Sequence, residues 1–479
     1  MNISKKKKPD VFVELEIESS GFNGVSVGRI DGMVHFVEGA VPGDTVRARV
    51  TKKKKNYVEC KTVEILQKSE NRIEPLCEHF DNCGGCKRQD LIYSEQLKWK
   101  ELNVKESFQR LHKVEVGNFE KILNAPKEFY YRNKMEFSFA NKRWLTPEEM
   151  NNQDKEENPI IDKNFAFGLH IAGAFDKVLD LNICHLQQHK ANEIFQVTKK
   201  YLKSNNITAN SAREHTGLLR NLIIRYSQYE DNFMIILITN PNPDENEMNH
   251  INIWAKIIFD FDYVSSVIFA QKELNSPVKI IEHHTLYGKD YLLEDILGVK
   301  FQISPFSFFQ TNPSQLNNFI QSILDYSELQ SDEILWDLYC GTGSISLPAS
   351  KFVKKVIGLE LVESSIFDAK SNSALNDITN TEFYAVDLHT KTLPDIFRKI
   401  DKPDNIIIDP PRSGIHNNVI NHLLELEIPK ITYVSCNPTT MARDCELLSE
   451  KYEIITVKPV DMFPQTYHIE AIAKLRLKK

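Results

Sequence analysis

The stretch 405–438 begins NIIIDPPRSGI and ends ITYVSCNP. Each end is a run rich in β-branched residues that stops at a polar or reactive side chain: Ile406–Ile408 precedes Asp409, and Ile431–Ser435 precedes Cys436. Such runs predict buried strands of a parallel sheet. Because ligands bind beyond the carboxyl ends of parallel strands, Asp409 and Cys436 are candidates for chemistry. A lone cysteine is more often a small buried hydrophobic residue, so the neighbours of Cys436 must decide its role.

The β-α-β rhythm of a doubly wound sheet begins at Ile334. Its first strand, LWDLY, runs into the turn 340–344 (CGTGS), where the backbone and a helix N-terminus can approach a ligand. The next strands, VIGLE and FYAVD, end in Glu360 and Asp387, and Glu360 is positioned to accept hydrogen bonds from ribose hydroxyls. Ser346 occupies the position of the third glycine of the G-x-G-x-x-G pattern, which disfavours a dinucleotide. S-adenosylmethionine, which carries ribose and adenine but no phosphate, fits this turn better.

The last segment, EIITVKPVDMFPQTYHIEAIAKLRL, predicts a strand, a loop and an antiparallel return strand. An antiparallel strand begins at the edge of the sheet where parallel strands end. Glu470, at the start of the return strand, is therefore expected in the same crevice as Asp409 and Cys436.

The 479-residue chain is long enough for several domains. It lacks any run of about eighteen apolar residues, and its N-terminus, MNISKKKKPD, lacks the apolar core of a signal sequence. The sequence therefore predicts neither a membrane span nor secretion, and a cytoplasmic protein is expected. Eight cysteines in such a chain favour metal binding or catalysis over disulfides.

Residues 11–67 contain short alternating strands separated by glycines, which predicts a small β-barrel of the kind that binds oligonucleotides. Lysine quartets lie before the first strand, at Lys5–Lys8, and between the last two, at Lys52–Lys55. Residues 1–68 contain 13 Lys and Arg against 9 Asp and Glu, although the whole chain has a net charge of −7. Solvated charge runs are the common alternative, but lysines on such a barrel favour contact with RNA phosphates. This segment resembles the TRAM domain, an RNA-binding β-barrel.

Three cysteines occur close together as Cys77-x5-Cys83-Gly-Gly-Cys86. The glycines allow the backbone to wrap tightly around a metal centre that takes its fourth ligand from elsewhere. Cys184, in LDLNICHL, is the candidate for that ligand. A zinc ribbon would have two close pairs, so a close trio with one distant partner favours an iron–sulfur cluster, with zinc-bound or inert thiols as the alternative.

Two further regions complete the chain. Leu91–Leu111 predicts an amphipathic helix that packs on a neighbouring domain. Strands and helices alternate over residues 126–300, which predicts a mixed α+β domain.

Taken together, these motifs resemble the RNA (uracil-5-)-methyltransferase family, in its 23S ribosomal RNA branch. The resemblance covers nearly the whole chain and includes the barrel, the cysteine motif, FFQTN, DLYCGTGS, GLE, DPPRSG, SCNP and FPQTYHIE. It implies a multidomain α/β fold with an N-terminal OB-like TRAM β-barrel, a mixed α+β middle domain with an iron–sulfur site, and a C-terminal Rossmann-like S-adenosylmethionine methyltransferase domain. The implied domains are residues 1–68, then 69–90 with 116–300, and then 91–115 with 301–479.

The resemblance also implies roles for individual residues. Cys436 is the expected nucleophile and Glu470 the expected base. The implied S-adenosylmethionine contacts are Gln310, Tyr339, Glu360 and Asp409, with Asp387 near adenine. The implied ligands of a 4Fe-4S cluster are Cys77, Cys83, Cys86 and Cys184. Ser344 stands where several relatives have Asn, so no contact is assigned to it.

The activity that the resemblance implies is S-adenosylmethionine-dependent methylation of carbon 5 of a uridine in 23S rRNA, of the uracil(1939)-C5 type. It would proceed through a covalent bond between Cys436 and carbon 6, followed by base-assisted elimination. The alternative substrate is the T-loop uridine of tRNA. An amino-group methyltransferase would have an aromatic residue after Asp-Pro-Pro, where Arg412 stands, and a non-catalytic RNA-binding factor would need neither Cys436 nor Glu470. The expected partner is 23S rRNA, and no obligate protein partner is indicated.

Overall fold

The N-terminal part of the molecule is a β-barrel. The computed structural model of the chain describes residues 10–152, 163–171, 173–174, 176–274, 276, 279–390 and 393–479. The barrel strands are β1 (Phe12–Glu16), β2 (Ser19–Ser20), β3 (Ser26–Ile30), β4 (Met33–Glu38), β5 (Thr45–Lys53) and β6 (Tyr57–Gln67). They follow the order β1-β5-β6-β4-β3-β2.

The barrel closes because the first segment of the chain pairs at both ends of the sheet: β1 is antiparallel to β5, and β2 is antiparallel to β3. A Cβ atom at Gly28 would lie 2.4 Å from the carbonyl oxygen of Glu16, so glycine is needed where these strands approach. The predicted barrel is therefore present. Lys52–Lys55 lies at the β5–β6 hairpin as predicted, whereas Lys5–Lys8 lies outside the described residues.

The predicted amphipathic helix is α1 (Tyr93–Glu106), which continues as a π-helical turn at Ser107–His112. The next strand, β7 (Val116–Phe119), pairs in parallel with residues 454–457 of the C-terminal sheet. The predicted domain boundary at residue 115 therefore falls before β7, which belongs to the C-terminal sheet. The physical reason is that β7 satisfies the backbone of an edge strand that would otherwise lie open.

The middle part is a mixed sheet with two long helices on one face, where Phe195 and Trp254 lie in the core. Its strands follow the order β15-β14-β13-β12-β8-β10-β11-β9, an α+β arrangement as predicted. The elements are β8 (Lys134–Ala140), β9 (Arg143–Trp144), α2 (Pro147–Asn152), β10 (Ala166–His170), β11 (Val178–Asp180), α3 (His189–Ser204), β12 (Leu219–Ser227), β13 (Asn232–Thr239), α4 (Glu245–Phe259), β14 (Val264–Lys272) and β15 (Ile280–Gly288).

The C-terminal part is the predicted doubly wound sheet. Its order is β20-β19-β18-β21-β22-β24-β23-β7, in which β24 runs antiparallel to β22. The elements are β16 (Leu292–Ile296), β17 (Val299–Ile303), α5 (Pro313–Ser327), β18 (Ile334–Leu338), α6 (Ser346–Ala349), β19 (Lys355–Glu360), α7 (Glu363–Leu375), β20 (Thr381–Ala385), α8 (Leu393–Phe397), β21 (Asn405–Ile408), α9 (Asn417–Leu426), β22 (Lys430–Ser435), α10 (Pro438–Leu448), β23 (Tyr452–Val460) and β24 (Glu470–Leu477).

Both faces of the C-terminal sheet are buried, which explains the continuous apolar runs in its sequence. Ile406 and Ile408 enter one core, whereas Ile407 enters the core on the opposite face. Phe301 of the β16–β17 hairpin lies in the same core as Ile407. The predicted boundary at residue 300 therefore cuts a hairpin that packs on the C-terminal sheet. Among the helices that the structure describes, none is both long enough and apolar enough to span a bilayer.

Candidate active site and cysteine centre

The carboxyl edge of the C-terminal sheet gathers five of the seven predicted catalytic and cofactor-binding residues. The parallel strands β18, β19, β21 and β22 end at this edge, and β24 begins there because Ser435 of β22 pairs with Ala471 of β24. Tyr339, Glu360, Asp409 and Cys436 follow or end parallel strands, and Glu470 starts the antiparallel one. The sheet topology therefore accounts for the grouping.

The turn after β18 leaves space for a ligand. Tyr339 and Gly341 have positive φ angles of 65° and 54°, and a Cβ atom at Gly341 would meet nothing within 4 Å. The Glu360 carboxylate accepts hydrogen bonds from the Gly341 N–H at 3.2 Å and the Val362 N–H at 2.9 Å. The buried Tyr339 hydroxyl lacks a hydrogen-bond partner among the described residues. An open backbone cradle, a fixed carboxylate and an orphaned hydroxyl together fit a nucleoside-containing ligand.

The two remaining predicted cofactor contacts reach the site from different directions. Asp387 lies on the surface two residues beyond β20, and its carboxylate accepts a hydrogen bond from the His389 N–H at 2.9 Å. Gln310 precedes α5, and its carbonyl accepts from the Asn133 side chain at 3.0 Å. Gln310 therefore lies where the middle part of the molecule meets the C-terminal sheet.

Cys436 lies partly exposed beside two carboxyl groups. Burial is the main cause that raises the pKa of its thiol to about 11, and the nearby Glu470 and Asp409 add to the effect. Burial also raises the pKa of Glu470 well above its usual range and the pKa of Asp409 to about 7. Burial therefore disfavours the charged form of the Cys436 thiol and of the Glu470 carboxyl.

Arg412 is a site residue to which the sequence interpretation gave no role. Its guanidinium lowers the pKa of both Cys436 and Glu470. Its backbone carbonyl accepts a hydrogen bond from Asn437 at 3.0 Å, which holds the DPPR turn against the start of α10. An arginine directly after Asp-Pro-Pro at a strand end was the available signal.

The sequence interpretation also gave no role to two aromatic side chains, Phe308 and His468. Phe308, two residues before Gln310, is 70% exposed. The pKa of His468 is lowered to about 4 by burial and by the charges of Arg412 and Arg132, among others. His468 is therefore neutral at physiological pH, and Phe308 presents an open ring face to solvent.

The four cysteines of the second predicted site line one cavity of about 460 Å³. Burial raises the pKa of all four thiols, to about 11 for Cys83 and about 12 for Cys86. The Gly85 N–H donates to the Cys83 sulfur at 3.4 Å. Cys184, although almost a hundred residues away, lines the same cavity as the cysteine trio.

All four cysteines line the same cavity. Within the described residues, no three His, Cys, Asp or Glu side chains are arranged to bind a single metal ion. A cluster of several iron atoms occupies more volume than one ion and is held by Cys thiolates. Four cysteine thiols that line one cavity are a donor set of the kind that holds such a cluster.

Comparisons with known proteins agree with this architecture. The chain is 38% identical to a protein of Bacteroides thetaiotaomicron named an uncharacterized RNA methyltransferase, over 95% of this chain and 99% of the relative. A protein of the same name from Porphyromonas gingivalis is 37% identical over 96% of this chain and 99% of its own length. The model of the tRNA (uracil-5-)-methyltransferase family matches residues 285–478, and that of the TRAM domain matches residues 12–63.

The chain belongs to the RNA (uracil-5-)-methyltransferase family. Enzymes of this family depend on S-adenosylmethionine. The N-terminal barrel of this chain is a TRAM domain. The fold is shared with the Pyrococcus abyssi tRNA (uracil-54, C5)-methyltransferase, whose structure was solved in complex with S-adenosyl-L-homocysteine. That structure superposes with a TM-score of 0.71 over 97% of this chain and 100% of the other at 24% identity.

Proposed function

We propose that this chain methylates carbon 5 of a specific uridine in 23S rRNA through a covalent adduct formed by Cys436. The observation that carries the proposal is the grouping of a thiol, an arginine and a buried carboxyl, Cys436, Arg412 and Glu470, at the sheet edge beside the ligand cradle. Carbon 5 of uracil is a poor nucleophile, so its methylation needs both a nucleophilic catalyst and a proton acceptor.

The Cys436 thiolate bonds to carbon 6 of uracil, and the electrons of the 5,6 double bond move toward carbon 5 and the carbonyl at carbon 4. Carbon 5 becomes nucleophilic and takes the methyl group, so it then carries both methyl and hydrogen. The ionised Glu470 removes this hydrogen as a proton, the electron pair re-forms the double bond, and the sulfur leaves as a thiolate. Arg412 stabilises both the thiolate and the ionised carboxylate, because its charge lowers both pKa values.

S-adenosylmethionine, when bound, would supply an electrophilic methyl group to carbon 5 and would leave as S-adenosyl-L-homocysteine. We propose that Glu360 accepts hydrogen bonds from its ribose, since this carboxylate is held by two backbone N–H groups at the open turn. The remaining proposed contacts of this ligand are Gln310, Tyr339, Asp387 and Asp409.

The proposed 4Fe-4S cluster is held by Cys77, Cys83, Cys86 and Cys184. The cavity that these four cysteines line together supports it. Methyl transfer involves no net electron transfer, so the proposed role of the cluster is to shape the protein around the RNA.

The proposed RNA contacts are the TRAM domain and the exposed ring of Phe308. Lysines of the β5–β6 hairpin are exposed, as expected of side chains that bind phosphates. A uridine must leave its stack to reach a thiol at a sheet edge, and the Phe308 face offers a surface on which such a base can stack. Ribosomal RNA is proposed because the barrel and the cysteine motif resemble the ribosomal branch.

The T-loop uridine of tRNA is the second candidate substrate. Two observations favour it: the matching family model is named for tRNA, and the P. abyssi enzyme of the same fold acts on tRNA. For either substrate we propose the domain division drawn from the sequence, with one change. In the changed division, β7 and the β16–β17 hairpin belong to the C-terminal domain.

The chemistry is tested with RNA that carries 5-fluorouridine at the target position. Fluorine cannot leave carbon 5 as a proton would, so the adduct persists and migrates as a protein–RNA complex on a denaturing gel. We expect this complex with the wild type and none with Cys436→Ala. A complex with both proteins, or with neither, contradicts the proposed nucleophile.

The substrate is tested by comparing 5-methyluridine in rRNA and tRNA from cells with and without the gene, by mass spectrometry of RNA fragments. We expect one 23S rRNA fragment to lose the modification while tRNA keeps it. Loss from tRNA alone would support the second candidate and contradict the first.

A further inference from the structure

The loop that joins β23 to β24, residues 461–469, leads directly into Glu470, the first residue of β24. Its consecutive carbonyl groups accept hydrogen bonds from side chains or backbone of widely separated segments. The donors are Gln315 to Asp461 O, Asn312 to Met462 O, Lys100 to Phe463 O, Tyr131 to Pro464 O, and the N–H groups of Lys87 and Arg88 to Gln465 O. We call this segment the junction loop.

Gln465 is the most constrained residue of the junction loop. It is 2% exposed and has a φ of 66°, a left-handed conformation that costs energy for a residue with a Cβ atom. Its side chain and backbone form a reciprocal pair with Gln96: the Gln465 N–H donates to the Gln96 side-chain oxygen at 3.1 Å, and the Gln96 amide donates to the Gln465 side-chain oxygen at 3.0 Å. Such a conformation persists only where the surroundings impose it.

The surroundings of Gln465 belong to the cysteine centre. Lys87 and Arg88 follow Cys86 directly, and their N–H groups donate to the Gln465 carbonyl at 3.0 and 3.1 Å. Gln96 also donates to the Arg88 carbonyl at 2.9 Å. The position of the junction loop therefore depends on the segment that Cys86 fixes at the wall of the cavity.

The TRAM domain meets the same segment. The Arg88 guanidinium donates to the Ser20 hydroxyl at 2.5 Å and to the Val25 carbonyl at 3.3 Å. A Cβ atom added to Gly24 would lie 3.1 Å from the Tyr467 ring and 3.2 Å from the Lys87 Cβ atom. The barrel, the cysteine segment and the junction loop thus pack against one another. Gln465 of the junction loop lies five residues before Glu470.

We infer that Gln465 is a positioning residue that transmits the placement of the cysteine segment to Glu470, so that the cysteine centre acts on the elimination step. The inference rests on the proposed function, because it concerns the base of that reaction. Adduct formation needs Cys436, which lies on a different strand, whereas removal of the carbon 5 proton needs Glu470 at the end of the junction loop. A displaced junction loop should therefore slow elimination more than adduct formation.

The first test uses Gln465→Gly with unmodified substrate RNA and S-adenosylmethionine. Glycine adopts a positive φ without steric cost and keeps both backbone groups. The change therefore removes only the bonds of the Gln465 side chain, which accepts from the Gln96 amide at 3.0 Å and donates to the Glu128 carboxylate at 3.4 Å. We expect kcat to fall about tenfold with little change in KM, and the methylated adduct to accumulate on denaturing gels, as it does to a greater extent with Glu470→Gln, which lacks the base. Gln330→Gly, at an exposed position of the C-terminal domain, is the matched control and should behave as the wild type.

The second test measures hydrogen–deuterium exchange of residues 463–470 in Cys86→Ala and in the control Cys60→Ala, whose cysteine lies in the barrel core. We expect faster exchange of this segment in Cys86→Ala only. If Cys86→Ala has lost its iron and residues 463–470 still exchange at the wild-type rate, the inference is overturned. The inference is also overturned if Gln465→Gly turns over substrate without accumulation of the methylated adduct. If the wild type forms no adduct with 5-fluorouridine RNA, the proposed function fails; if the wild type does so and both variants behave normally, only the inference fails.

Discussion

Cys436 and the four cysteines of the cavity share a side chain, and burial raises their thiol pKa values in the same direction. Their neighbours differ. Cys436 faces an arginine and two carboxyl groups at the end of a strand, whereas Cys83 is accompanied by other thiols and by a backbone N–H group. One site therefore places an arginine and two carboxyl groups around a single sulfur, and the other places four sulfurs around one cavity.

The difference teaches that exposure and pKa alone do not assign the role of a cysteine. A thiol with a raised pKa is a poor nucleophile unless a nearby cation stabilises the thiolate. Arg412 supplies that cation at Cys436. At the cavity, thiolates would be stabilised by the bound metal, so the same raised pKa values carry a different consequence.

The largest effect is expected from Cys436→Ser. A serine hydroxyl is far less acidic than a thiol, so methyl transfer should fall by about 10⁴-fold or more, while iron content remains that of the wild type. Single-turnover methylation assays and iron analysis measure both quantities. Cys445→Ala, at a buried position in α10, is the control that should retain activity. Iron loss in Cys436→Ser would mean that the two sites are not separate.

The converse change, Cys184→Ser, should remove the iron and leave the nucleophile. We expect iron to fall from about four atoms per chain to near zero, with loss of visible absorbance, while 5-fluorouridine RNA is still trapped by Cys436. A cluster needs all of its ligands, whereas the adduct needs one sulfur. Retention of the full iron content by this variant would rule out Cys184 as the fourth ligand.

Arg412→Gln should shift the pH dependence of adduct formation to higher pH. The thiolate is the reactive form, and with a pKa of about 11 its fraction rises about tenfold per pH unit across the neutral range. Removal of the cation raises that pKa further, so at pH 8 adduct formation should slow by roughly tenfold. Rates from pH 6 to pH 10 check this, with Arg398→Gln, at an exposed position directly after α8, as control. An unshifted profile would show that Arg412 does not stabilise the thiolate.

The smallest effect is expected from Asn192→Ala in α3. The Asn192 side chain accepts from the Cys184 N–H at 2.9 Å and donates to the Cys184 carbonyl at 3.1 Å. Loss of these bonds should lower the free energy of unfolding by about 1–2 kcal/mol and speed iron loss to a chelator, with methylation unchanged within about twofold. Denaturant unfolding and chelation kinetics measure this, against Asn205→Ala at the helix end. Chelation at the wild-type rate would contradict the role given to Asn192.

Much of the site could be predicted from local patterns in the sequence. Cys436 and Glu470 could be placed at one edge because strand direction follows from the order of apolar runs and turns. Arg412 could not be given a role in the same way, because its effect on Cys436 depends on how the DPPR turn is held against α10. The boundaries proposed at residues 115 and 300 could not be drawn more closely for a related reason, since β7 and β17 join the C-terminal part by long-range pairing and packing.

By itself, the sequence determined the doubly wound sheet, the barrel and the identity of the residues with reactive side chains, because periodicity, glycine turns and cysteine spacing are local properties of the chain. Only the tertiary structure decided that Cys184 lines the cavity with the cysteine trio and that Gln465 links that trio to Glu470. Those relations join residues far apart in sequence through single hydrogen bonds and shared cavities, and such contacts leave no periodic signature in the chain.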